Sequence, residues 1–258
     1  MLGLLPNGKF DTKPFSGTLL VNDYLQNYRN AREAYHKGIQ CILSNGEDDG
    51  LGNLEIINWA FSIDDLEEID FSGKNREFKS EFAQKFFEFI LAGGTDTSIL
   101  FKHNPNVKRF KDDLASRNTA YGPRINAQLP GLIEELKRNP STRRAVLTIL
   151  HPDDQILLPE KHSGSKMEYP CTVSLIFLLR NKRLNLHVAM RSNNMTTTIN
   201  YDLYNFICLQ KWLTEKLQQN GVDAKLGKYF HVCASAHILK HEIPLAQAIW
   251  NEYNLEVK

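Results

Sequence analysis

Two apolar, β-prone runs, residues 172–179 and 184–190, are joined by four polar residues, Arg180-Asn181-Lys182-Arg183. Runs of strand length with so short and polar a joint predict a β-hairpin, although the turn carries no glycine. A hairpin this apolar must be covered on at least one face, so the rest of the chain has to supply a larger sheet and helices. Residues 54–61 and 230–236 read as further strands, and 143–150 as a buried strand rich in Val, Leu and Ile. Leu20, Tyr24, Tyr28, Ala31, Tyr35, Ile39 and Ile42 recur at helical spacing and predict a helix over 20–43. Asn75 is the expected cap of a helix over 78–91 that Gly93-Gly94 ends. Helices are also expected over 130–138, 201–219 and 244–254, and a loop over 152–168. Helices mixed with hairpin-connected strands predict an α+β fold, with an arm over 1–20 and one domain over 21–258.

Composition narrows the function classes. Among 258 residues, 31 Lys and Arg against 30 Asp and Glu leave a net charge of +1. That balance argues against a surface built for nucleic-acid backbone or anionic membrane, but not against a local arginine cluster. No long uncharged apolar run or secretory start is present, so no membrane span and a cytoplasmic location are expected. The cysteines Cys41, Cys171, Cys208 and Cys233 are widely spread with no CxxC pair, so no metal site is expected and the thiols should be free. Three of them should fill core.

Several residues could carry chemistry. Cys171 follows Pro170 at the start of an apolar strand, where nearby cations would favour a nucleophilic thiolate. Arg143-Arg144 and Arg191-Ser192 lie beside strands; the pairs suit surface ion pairs, or phosphate, whose oxygens match a guanidinium fork. The dense polar stretch from Arg191 to Asp202 reads as a capped helix start or a ligand loop. His237 reads as a structural histidine or a ligand, and Glu88, set among Phe86, Phe87, Phe89 and Ile90, as a solvated helix face or a buried carboxylate.

Taken in order, these residues resemble the thymidylate synthase superfamily over about residues 24–245. Pro170-Cys171-Thr172, Met190-Arg191-Ser192-Asn193-Asn194 and Asp202 are similar to its nucleophile strand, phosphate motif and base-reading position. Pro140-Ser141-Thr142-Arg143-Arg144 resembles the twin arginines that reach a partner's phosphate; Glu88 to Thr97 resembles the segment of the catalytic glutamate. Tyr121-Gly122 and Ala236-His237 resemble the active-site tyrosine and the sugar-binding histidine. The resemblance implies a homodimer with a sheet face as interface, a pyrimidine nucleoside monophosphate as substrate, and 5,10-methylenetetrahydrofolate as co-substrate beside Asn194 and Thr198. It implies that Cys171 adds to C6 of the base, that Glu88 orders water, and that Tyr121 helps remove the C5 proton.

Departures from the synthases point within the family. Asp202 stands where synthases carry a uracil-reading asparagine, and with Thr172 and Met190 resembles the deoxycytidylate and cytidylate hydroxymethylase branch. A carboxylate suits the N4–H₂ donor of cytosine, and a protonated one could donate to N3; alternatively Asp202 caps the helix that follows. Leu239 replaces a sugar-binding tyrosine, Glu47-Asp48-Asp49-Gly50 replaces a basic phosphate loop, and few residues follow His237 compared with the family's closing segment. The expected activity is therefore hydroxymethyl transfer to dCMP or CMP. The alternatives are thymidylate synthesis from dUMP, or nucleotide binding without transfer.

Overall fold

The structure is a computed structural model that describes residues 25–110, 121–156 and 170–256. The expected arm 1–20, Tyr169 and most of the expected loop 152–168 lie outside the described residues. In chain order the elements are β1 (Leu25–Asn30), α1 (Ala31–Asn45), β2 (Glu47–Asp48), β3 (Leu54–Asp65), α2 (Ser80–Leu91), α3 (Ser98–Phe101), α4 (Tyr121–Arg138), β4 (Val146–Thr148), α5 (Pro152–Ile156), β5 (Thr172–Arg180), β6 (Arg183–Met190), β7 (Asn193–Asn194), α6 (Ile199–Gln219), β8 (Lys225–Ile238) and α7 (Ile243–Glu256).

The hairpin is β5 and β6, antiparallel in a register that sets Thr172 against Met190 and Arg180 against Arg183. Its turn works without glycine because Asn181 and Lys182 both adopt left-handed φ, 51° and 62°. Two such residues make the mirror-image turn whose twist matches paired strands. The hairpin extends into a mixed sheet of order β1-β3-β8-β6-β5-β4, with β1–β3 and β8–β6 parallel. Alternation along the strands divides two faces. Trp59, Phe61, Ile63, Leu175, Phe177, Leu186, Val188, Tyr229 and Cys233 are buried. The helices α1 and α6 pack on the sheet, and α2 and α4 pack on α6. The opposite face leaves Ile57 and Val232 exposed, 57 % and 46 %.

Four sequence expectations shift. The helix expected from residue 20 begins only at Ala31, because Asn30 caps it, accepting from the Glu33 N–H at 2.8 Å. Leu25–Asn30 is instead a strand on β3; the Tyr24–Tyr28 spacing of four fits both helix and strand periods. Asn75 caps no helix: its side chain donates to Glu252 of α7 at 2.7 Å, and α2 starts at Ser80. The helix expected over 130–138 starts already at Tyr121 and carries Pro130 inside it. The strand expected over 143–150 shrinks to Val146–Thr148, which leaves Arg143 and Arg144 on the bend before it.

A buried ion pair ties α4 to α5. Arg124 of α4 grips both oxygens of Asp154 at 2.7 and 2.8 Å and donates to the Ile149 carbonyl. The side chains are 10 % and 2 % exposed. Asp154→Ala strands a guanidinium without its countercharge and should lower stability by about 3 kcal/mol. Urea denaturation checks this; an unchanged midpoint refutes it.

Candidate active site

The hairpin register creates the site. Because Thr172 faces Met190, the residue before β5 and the residue after β6 are neighbours. The Arg191 N–H donates to the Cys171 carbonyl at 2.8 Å. The Arg191 guanidinium then folds back, donating from Nε to the Pro170 carbonyl at 3.1 Å and touching Cys171 Sγ from Nη2 at 3.6 Å. A guanidinium therefore stands against the sulfur of the candidate nucleophile. Next, β7 pairs with β8 so that Asn194 faces His237, and Ser192 Oγ lies 3.5 Å from His237 Nδ1. Cys171, Arg191, Ser192 and His237 are all half-buried, so a ligand can reach them.

Tyr121, the first residue of α4, completes the wall beside Cys171. Its hydroxyl lies 3.1 Å from Thr172 Oγ1 and accepts from the Thr172 N–H at 3.2 Å. Burial, with Cys171 and Asp202 close by, holds its phenol well above the usual tyrosine range. It therefore stays protonated and can order a water or shuttle a proton, but is not itself a strong base.

Asp202 lies in the first turn of α6. The helix-cap reading fails: Thr198 occupies the N-cap, and the Asp202 carboxylate bonds no helix N–H. Among the described residues its one hydrogen bond is from Asn193 Nδ2 to Oδ2 at 2.8 Å. Burial pushes its pKa up from 3.8 to about 7, and the Asn193 bond opposes that rise. Asn193 is 2 % exposed, and its role was missed in the sequence. An asparagine nine residues before Asp202 carries no signal until β7 folds it back beside α6.

Other expected residues lie apart. Glu88 does not join the group. It sits on the exposed side of α2, paired with Lys85 at 2.8 Å and accepting from Gln84 at 3.1 Å, and these bonds hold its pKa below the usual range. The apolar neighbours that drew attention to it face inward instead: Phe89 and Ile90 are buried. Arg143 and Arg144 are exposed beyond the sheet, outside the Cys171 cluster. Acidic Asp48 and Asp49 turn onto their own loop: Asp48 accepts from the Gly50 and Gly52 N–H groups, and Asp49 from those of Leu51 and Asn53.

Asn194 is also committed. Its Oδ1 accepts from the Thr196 and Thr197 N–H groups and its Nδ2 donates to Glu242, while Thr198 Oγ1 donates to the Asn194 carbonyl. Asn194 and Thr198 therefore brace the loop: Thr196 and Thr197 take up the Asn194 amide oxygen and Glu242 one amide N–H, which leaves one N–H without a partner among the described residues. The surroundings of Thr198 fit a folate in kind. Tyr201 packs against Phe82 at 5.3 Å, a surface for a flat ring. Arg76, anchored to the Thr197 carbonyl at 2.9 Å, has an Nε without a hydrogen-bond partner among the described residues, a donor for a carboxylate. No cluster of metal-ligating groups occurs among the described residues.

The placement of Glu88 is testable. Glu88→Gln should leave turnover within about twofold of the parent, because it removes only an exposed i,i+3 pair. A loss beyond tenfold in steady-state kinetics would return Glu88 to the site.

The family model described as Thymidylate synthase matches residues 34–254. A deoxyuridylate hydroxymethyltransferase of Bacillus phage SP01 is 30% identical over 166 residues, 58% of this chain but only 41% of the relative. A deoxycytidylate 5-hydroxymethyltransferase of Enterobacteria phage T2 is 24% identical over 214 residues, 78% of this chain and 82% of the relative. The thermostable thymidylate synthase A from Bacillus subtilis superposes with a TM-score of 0.66 at 20% identity, covering 86% of this chain and 84% of that one, and so shares the fold. A family match over residues 34–254, most of the chain, makes this protein a member of the thymidylate synthase family.

Proposed function

We propose that this chain transfers a hydroxymethyl group to C5 of a cytidine monophosphate, dCMP or CMP. The observation that carries the reading is the Asp202 carboxyl, held by Asn193 in the cluster that includes Cys171 and Tyr121. The names of the phage relatives are consistent with hydroxymethyl transfer.

Each residue has a proposed task. Arg191 and Ser192 bind the phosphate together with a partner subunit's Arg143 and Arg144, and His237 contacts the sugar. The Cys171 thiolate adds to C6: the S–C6 bond forms, and the C5=C6 π pair moves to C5 and onward to N3. Ionised Asp202 accepts from the N4 amino group. A group titrating at about 7 can also donate a proton to N3 as charge gathers there. Methylenetetrahydrofolate, when bound, would supply C5 with a carbon at the aldehyde level of oxidation and depart as tetrahydrofolate. Tyr121 then guides loss of the C5 proton through water, and a water molecule ends as the hydroxyl when sulfur leaves C6. The exposed sheet face of Ile57 and Val232 fits a homodimer that would bring the paired arginines across.

A second reading, action on dUMP, draws on the same titration. Protonated Asp202 is a donor, and O4 of uracil is an acceptor.

C5-tritiated dCMP, CMP and dUMP separate these readings. Tritium release and a 5-hydroxymethyl product from a cytidine nucleotide, abolished in Cys171→Ala, are expected; no release from any nucleotide would refute transfer. Activity on cytidine nucleotides should fall as pH drops through about 7, because protonation removes the acceptor. Asp202→Asn should lose that limb and shift preference toward uridine at least about tenfold.

Dimer sharing has its own test. Cys171→Ala mixed with Arg143→Ala/Arg144→Ala should regain about a quarter of parent activity through one intact site per heterodimer. No regain after subunit exchange would assign these arginines elsewhere.

A further inference from the structure

Asn193 takes no chemical step above, yet it makes the one hydrogen bond of the base-reading carboxyl among the described residues. Its backbone is pinned by pairing with Ala236 of β8, and its side chain is buried. The amide is poorly served where it stands: Oδ1 is buried and has no partner among the described residues. A buried amide satisfied at one end is a cost to folding that an apolar side chain of similar shape would avoid. The remaining bond, Nδ2 to Asp202 Oδ2, is therefore the reason for an asparagine here.

We propose that Asn193 is a positioning residue for base choice, holding Asp202 Oδ2 as an acceptor so that Oδ1 is the oxygen offered to the C4 substituent of the pyrimidine. A donor on Oδ2 also favours the ionised carboxyl. Ionised Oδ1 accepts from a 4-amino group and meets a 4-keto oxygen with repulsion. Without the amide, the carboxyl rotates freely and takes a proton more readily, and a protonated oxygen suits a 4-keto group equally well. The other groups close to Asp202 are Tyr121 from α4 and Tyr229 and Cys233 from β8; Cys171 lies near Tyr121 and Cys233, and Arg191 near Cys233. Burial holds Tyr121, Tyr229 and Cys233 neutral near pH 7, so they put no charge beside the carboxyl; the Tyr121 hydroxyl lies against Thr172 and that of Tyr229 against His231, and the donor that reaches Asp202 is Asn193 Nδ2. The proposal rests on Asp202 as the base reader.

The test uses the full chain and C5-tritium release with methylenetetrahydrofolate, comparing kcat/KM for dCMP, CMP and dUMP between pH 5.5 and 8.5. Asn193→Leu keeps the shape and removes the donor; Asn193→Ser is smaller and keeps one. Asn193→Leu should lower the cytidine-to-uridine ratio on the order of tenfold, chiefly through KM for the cytidine nucleotide, and move the acid limb to higher pH. Asn193→Ser should recover much of the ratio. In an Asp202→Asn background, Asn193→Leu should leave the ratio unchanged, because its effect passes through the carboxyl. If Asn193→Leu does not fold, Asn193→Ala is read in the same assay. An unchanged ratio and limb in a folded donor-less variant, while Asp202→Asn shifts both, would overturn the role of Asn193 alone. If Asp202→Asn itself leaves base preference unchanged, the base-reading assignment falls, and this proposal with it.

Discussion

The pairing of Thr172 with Met190 is the constraint on which the site depends. One hairpin register puts a cysteine and an arginine, distant in sequence, into adjacent positions at the open end of two apolar strands. A slip of one residue would turn Cys171 away and flip every core side chain of β5 to the solvent face. The apolar alternation that builds the core, with Leu175, Phe177, Leu186 and Val188 inward, thereby also fixes the distance between the Cys171 sulfur and the Arg191 guanidinium. Stability and chemistry share one register.

A second constraint is the carboxyl kept among apolar and phenolic neighbours. Asp202 titrates at about 7 in the folded chain against 3.8 as a free group. Its folded form therefore holds a proton that the unfolded chain releases, and burial of the carboxylate weighs on stability as pH rises from about 4 to about 7. Asn193 offsets part of that cost with one bond. A group that titrates near neutrality inside a site can serve as both acceptor and proton donor, which a surface aspartate cannot.

Much of the fold was legible because its signals are local and repeated. The hairpin, the helix over 201–219 and the last helix follow from apolar spacing and form at nearly the expected bounds, while the strand expected at 54–61 runs on to Asp65. Misplaced elements have tertiary causes. Leu25–Asn30 pairs with a strand far along the chain, Asn75 is claimed by Glu252 of α7, and Arg143-Arg144 fall on a bend because β4 is only three residues long. Glu88 shows the same limit: its apolar surroundings in sequence suggest burial, but helix geometry sends Phe89 and Ile90 inward and Glu88 out to Lys85.

The sequence by itself determined the α+β class, the hairpin, and the order of Cys171, Arg191, Asp202 and His237, because strand and helix periods and residue chemistry are properties of neighbouring positions. Only the tertiary structure decided which of these meet. It set Arg191 against the sulfur, committed the Asn194 amide to its own loop, left Glu88 outside, and folded Asn193 onto Asp202. The physical reason is that a hydrogen bond depends on where two groups arrive in space, and strand pairing between distant segments sets that arrival while local pattern does not.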